Sequence, residues 1–127
     1  MKNPISRVEN LVLMASRYGA EHSTFDRQRI GAIVKQGNSL YFGANKRRTH
    51  PRAPGPWKYV HAEFDAILSC SRWSKTKGAE VFVGRFDLNG NPAIAKPCKF
   101  CQWMMRKAGV KTVYYSTNSK EIGRLIL

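Results

Sequence analysis

Ile5, Val8, Leu11, Val12, Ala15 and Tyr18 are apolar positions recurring every three or four residues, with polar residues between them. That spacing predicts an amphipathic helix. Asn3 and Pro4 read as its cap and first position, and Gly19 as its stop. RIGAIVKQGNSLYFG, residues 29–43, reads as two strands joined at Gly37-Asn38, a favourable hairpin turn. Between Ala44 and Tyr59 the pattern dissolves among prolines and basic residues, which predicts a long loop.

A second helix is expected from about His61 to Trp73, with Phe64, Ile67 and Leu68 on one side, and Gly78 marks the end of the connection after it. AEVFVGRF, residues 79–86, has the continuous apolar centre of a strand buried on both faces, and DLNGNP after it is a turn. A third helix is expected from about Cys98 to Gly109, and TVYYST, residues 112–117, is a further strand. This order contains two strand–helix–strand passages and predicts an α/β domain with a parallel core and covering helices. Only ten residues follow Thr117, so IGRLIL is expected to return as an antiparallel edge strand. No internal repeat or low-complexity segment interrupts the chain, and residues 1–127 read as one domain.

Composition narrows the class. With 127 residues, 43% of them hydrophobic, the chain can bury a real core. No apolar run approaches the ~20 residues of a membrane span, and MKNPISRVEN lacks the apolar stretch of a secretory signal, so a soluble, cytoplasmic protein is expected. The 22 Lys and Arg against 8 Asp and Glu give +14, a positive field that attracts phosphates. Lys46, Arg47, Arg48, Arg52 and Lys58 form the densest stretch, and Arg72, Lys75 and Lys77 a second. The charge itself does not distinguish a mononucleotide, a strand, a lipid surface or a merely solvated face.

The three cysteines, Cys70, Cys98 and Cys101, do not suggest a disulfide framework in such a chain. PCKFC, residues 97–101, sets two thiols about 60° apart on one face of a helix start, where the positive helix end favours thiolate. A lone C-x-x-C is compatible with a redox dithiol, half of a four-cysteine zinc site or two unrelated thiols. A histidine as third ligand suits it better, and among His22, His50 and His61 the last opens a helix just as the cysteine pair does. Two cysteines and one histidine leave a tetrahedral zinc one open position for water, and Glu63 is the candidate base beside it. A regular helix would aim His61 and Glu63 about 200° apart. Both reach one metal if His61 lies at the helix start, where the backbone is not yet regular, and Glu63 on the first turn.

His-Ala-Glu at 61–63 followed by Pro-Cys-x-x-Cys at 97–101, with GAIV, GAN and AGVKTVYY around them, resembles the zinc-dependent cytidine/deoxycytidylate deaminase superfamily. The resemblance implies a three-layer cytidine-deaminase-like fold with a mixed sheet of about five strands flanked by helices. It implies one catalytic zinc on His61, Cys98 and Cys101, hydrolytic loss of a ring amino group as ammonia, and Glu63 as proton carrier. Asn45 of GAN matches an asparagine that touches sugar or base, though a loop-capping role competes; Ala62, Arg48 and His50 complete the expected substrate contacts.

The substrate expected first is cytosine in a free nucleoside or nucleotide, with the basic 46–58 loop holding a phosphate as in deoxycytidylate deaminases. The alternative is editing of cytosine or adenine in single-stranded nucleic acid, with Trp57 and Tyr59 as stacking surfaces. A non-catalytic zinc module that binds nucleic acid is a third, which Glu63 argues against. His22, His50 and Cys70 offer a speculative second metal site. Family members often form homo-oligomers, and Trp73, Trp103 and Met104 are candidates for a shared surface or for the core.

Overall fold

The structure, a computed structural model, describes residues 6–47, 59–70 and 76–127. Asn3, Pro4, Arg48, His50, Arg52, Trp57, Lys58, Arg72, Trp73 and Lys75 lie outside the described residues.

The first helix, α1, spans Arg7–His22 and is capped by Ser6, whose side chain accepts from the Glu9 N–H at 3.1 Å. It runs past Gly19, contrary to the stop expected there. Gly19 serves packing instead: a Cβ on it would collide with the backbone of Gly31 and lie 2.8 Å from the Arg29 carbonyl oxygen. The glycine lets α1 sit directly on the start of the first strand.

That strand, β1 (Gly31–Gln36), pairs antiparallel with β2 (Ser39–Ala44) in a register running from Gln36↔Ser39 to Gly31↔Ala44, so the expected hairpin at Gly37-Asn38 is present. The second helix, α2, covers Ala62–Ser69 and has Cys70 as its C-cap. β3 (Glu80–Phe86) follows, paired at its end with the short β4 (Pro92–Ala93), then α3 (Lys99–Lys107), β5 (Thr112–Ser116) and β6 (Ile122–Ile126).

The sheet order is β2-β1-β3-β5-β6. β3 and β5 pair in parallel, Val81 opposite Val113, and β6 returns antiparallel to β5 at the edge, as expected. The rest of the expected parallel core is corrected: β1 lies between β2 and β3 and is antiparallel to both. Burial explains the placement. Residues Gly31 to Val34 are buried and take the interior, whereas β2 starts exposed at Ser39 and becomes the edge.

Alternation along the central strands divides the core into two layers. Ile33 and Phe82 face Leu11, Val12 and Ala15 of α1. Ala32, Val34, Val81 and Val83 face the other way, onto Phe64 and Ile67 of α2 and Met104 and Met105 of α3. The mixed sheet therefore has α1 on one face and α2 and α3 on the other, the three-layer arrangement expected. No described helix is long and apolar enough to cross a membrane.

Candidate active site

Because β1 is antiparallel to both neighbours, β2 and β3 run in the same direction and finish at the same end of the sheet. α2 follows β2 and α3 follows β3 and β4, and the first turns of the two helices meet at that end.

β2 holds α2 closely. A Cβ on Gly43 would run into α2, 2.5 Å from the Ala62 carbonyl oxygen and 2.7 Å from Ala66 Cα. The Ala44 N–H donates to Asp65 Oδ2 at 3.0 Å, and Lys46 Nζ lies 3.3 Å from the same oxygen. Lys46 and Val60 then exchange two backbone hydrogen bonds of 2.9 Å, which fix the chain just before His61.

His61 is the N-cap of α2 with extended backbone, φ −75° and ψ 151°, and Cys98 is the N-cap of α3 at φ −66° and ψ 164°. Neither residue has entered its helix, so each side chain leaves the helical direction. Cys101 completes the first turn of α3, where its N–H donates to Cys98 Sγ at 3.4 Å. Its own Sγ lies 3.2 Å from His61 Nδ1. The donor atoms of His61, Cys98 and Cys101 all lie within 4.8 Å of one another, and they are the one group of three potential metal ligands among the described residues.

This set fits zinc. Tetrahedral zinc, about 2.3 Å from sulfur and 2.0 Å from nitrogen, needs donors roughly 3.5 to 3.8 Å apart. Burial lowers the His61 pKa and favours the neutral imidazole, which is the ligating form. Burial pushes the Cys101 thiol far up, and the negative charges of Glu63 and Cys98 push it further. A buried thiol at Cys101, beside a carboxylate and the exposed Cys98, needs a cation to become thiolate, and a dication meets that need.

Glu63 lies on the first turn of α2, only 5% exposed. Burial raises its pKa, opposed by hydrogen bonds from its own backbone and from Cys101. The carboxyl is thus held beside the ligand cluster and away from bulk water.

The cluster opens into a pocket of about 440 Å³ lined by Asn45, Ala62 and Glu63 among others. Asn45 is nearly buried, and its amide ties the pocket wall together. Its Oδ1 accepts from Ser23 Oγ at 2.6 Å and from the Ile30 N–H at 2.9 Å, while Nδ2 donates to the Gln28 carbonyl at 2.8 Å. Gln28 has a positive φ of 50°, and the bond to its carbonyl helps hold that conformation.

The two described cations of the expected basic stretch are both engaged. Lys46 is paired with Asp65, and Arg47 lies 3.2 Å from Asp26, while the expected contacts Arg48 and His50 lie outside the described residues. Among the described residues, the cations lining the pocket are Arg27, Arg85 and Lys96. Sequence reasoning passed over all three; Lys96, immediately before PCKFC, offered the one local signal.

His22 and Cys70 do not form a second metal site: His22 ends α1 and Cys70 caps α2, on opposite faces of the sheet. Met104 is buried in the core, whereas Trp103 is 48% exposed on the outer side of α3.

Fold and donor set together define a zinc site built on two helix starts of an α/β/α domain. Residues 5–117 match the model of the cytidine and deoxycytidylate deaminase zinc-binding region, and the chain belongs to that family. The dCMP deaminase of cyanophage S-TIM5, in apo form, is similar over 87% of this chain and 84% of that one, at 26% identity and a TM-score of 0.62. Cytidine deaminase from Burkholderia pseudomallei has the same fold over 96% and 93% of the two chains, at 16% identity and a TM-score of 0.68. ComE operon protein 2 of Bacillus subtilis (strain 168) is 39% identical over 62 residues, which span 48% of this chain and 28% of that protein.

Proposed function

We propose that the chain hydrolytically deaminates cytosine in a free mononucleotide, with Glu63 as the proton carrier. The observation that carries this reading is a buried carboxyl beside a His-Cys-Cys donor set, in a pocket whose other charged lining residues, among those described, are Arg27, Arg85 and Lys96.

His61, Cys98 and Cys101 hold zinc. The ion, when bound, acidifies water enough to supply a nucleophile near neutral pH. Glu63 takes one proton from the attacking water and delivers it to the ring nitrogen next to the amino-bearing carbon. It then moves the second proton of that water, now on the hydroxyl added to the ring carbon, to the amino group, so that the C–N bond breaks, the carbonyl forms and ammonia leaves. Its raised pKa suits a group that must both accept and return a proton. Asn45 keeps the opposite wall in place, and the first turn of α2 presents Ala62 to the bound base.

The three cations favour a substrate with a phosphate over a bare nucleoside. Arg85 is the best anchored, because its Nε donates to the Ile94 carbonyl at 2.8 Å and holds the guanidinium against the pocket edge. The test is turnover of deoxycytidine, cytidine, their monophosphates, adenosine and a cytosine-containing oligonucleotide at matched ionic strength. Mononucleotides are expected to be deaminated with the highest kcat/KM. Preferential turnover of the oligonucleotide would overturn the reading in favour of strand editing, and equal use of nucleosides would remove the phosphate from it.

A further inference from the structure

We propose that Tyr59 is a positioning residue for the metal centre: its ring sets the plane of the His61 imidazole and thereby slows loss of zinc. This rests on the reading of His61 as a zinc ligand.

The Tyr59 and His61 rings are nearly parallel, 8° apart in plane with centroids at 5.1 Å. Parallel rings at that separation form an offset stack. The tyrosine is itself supported, since Phe25 meets it edge-on at 5.3 Å and 79°. Arg47 closes the column, with its guanidinium carbon 5.2 Å from the Phe25 ring centre. Arg47 is in turn tied to the same loop as Phe25, because its N–H donates to Thr24 Oγ1 at 2.8 Å and its guanidinium reaches Asp26 at 3.2 Å. From below, the paired backbone bonds between Lys46 and Val60 fix the residue joining Tyr59 to His61.

Ring plane matters because a histidine ligates through an in-plane lone pair. With Nδ1 already 3.2 Å from Cys101 Sγ, rotation of the imidazole about its Cβ–Cγ bond carries that lone pair out of the space the three donors share. An aromatic face lying flat against the imidazole opposes the rotation. It also favours the partial positive charge that an imidazole gains on binding a cation. Groups beyond the ligands commonly orient metal-bound histidines, usually by hydrogen bonds to the other ring nitrogen; here a stacked ring would take that part. Tyr59 is 42% exposed, so truncating it opens no buried cavity and its effect can be read separately from folding.

Tyr59 also lines the pocket, so stacking on substrate is the competing role. The two are separated by following zinc in the absence of substrate. Zinc-loaded parent, Tyr59→Phe, Tyr59→Leu, Tyr59→Ala and His61→Ala proteins are mixed with a chelating dye, and the rate and midpoint of zinc transfer are recorded, with circular dichroism as folding control. Tyr59→Ala and Tyr59→Leu are expected to weaken zinc retention about tenfold or more, the usual scale for such supporting groups, with Tyr59→Phe near the parent. Parent-like retention in Tyr59→Ala, or equal loss in Tyr59→Phe, would overturn the inference; the second outcome would assign the effect to the hydroxyl. Raised KM with unchanged zinc transfer would make Tyr59 a substrate contact instead. Parent-like zinc binding by His61→Ala would overturn the ligand reading itself, whereas loss there alongside an inert Tyr59→Ala defeats this inference alone. Should Tyr59→Ala fail to fold, Tyr59→Leu carries the same comparison.

Discussion

Asn45→Ala is expected to loosen the wall formed by residues 23–30 before it affects any contact with substrate. The substitution removes three hydrogen bonds, those to Ser23 Oγ, the Ile30 N–H and the Gln28 carbonyl. At roughly 1 kcal/mol each, these amount to about 3 kcal/mol. The Ser23 hydroxyl, only 5% exposed, also loses the acceptor for its proton and keeps only the bond from the Phe25 N–H at 3.2 Å. A loss of about 3 kcal/mol in a domain of this size lowers the melting temperature by on the order of 10 °C. Ser23→Ala removes one of these three bonds together with the one Ser23 Oγ accepts from the Phe25 N–H at 3.2 Å, and is expected to cost about two thirds as much. The assay is thermal and urea unfolding of zinc-loaded protein, with KM measured well below each melting temperature. A melting temperature for Asn45→Ala within about 2 °C of the parent, together with a raised KM, would refute the clamp and make Asn45 a substrate contact.

Other perturbations probe different links. Gly43→Ala places a methyl group against the Ala62 and Ala66 backbone, so α2 must move off β2; overpacking of this kind costs about 1–3 kcal/mol, and zinc loss on dilution into a chelator should accelerate with it. Removing zinc with a chelator should lower the melting temperature, and adding zinc back should restore it, rising with the logarithm of the free zinc concentration as mass action requires; insensitivity to both would contradict metal binding by the folded chain. Neutralising the pocket cations by Arg27→Gln, Arg85→Gln and Lys96→Gln should raise KM for a cytosine mononucleotide while leaving that for the nucleoside nearly unchanged; equal effects on both would remove the phosphate contact from the account.

What could be read from the sequence was what is local in the chain. The HAE and PCxxC segments already carry every donor of the zinc cluster, and the extended N-cap geometry of His61 explains how residues two apart serve one place. The Gly37-Asn38 turn within residues 29–43 placed the hairpin, and the ten residues after Thr117 left room for an antiparallel edge strand. Pattern did not reveal that β1 would insert between β2 and β3, because strand order depends on which strand can be buried on both faces. Gly19 looked like a helix stop because a glycine allowing close backbone approach has the same one-letter signature. The pocket cations escaped notice for another reason: Arg27, Arg85 and Lys96 come together only through the fold, while the conspicuous Lys46 and Arg47 are engaged by Asp65 and Asp26.

Glu63→Gln tests the central claim most directly, because it keeps the size of the side chain and removes its ability to carry a proton. Bound zinc and ammonia release are measured on the same preparation with a cytosine mononucleotide. The expected result is zinc at the parent stoichiometry with deamination reduced at least about 100-fold, the scale of a lost general acid–base group. Deamination within about threefold of the parent, with zinc retained, would contradict the assignment of Glu63 as the proton carrier.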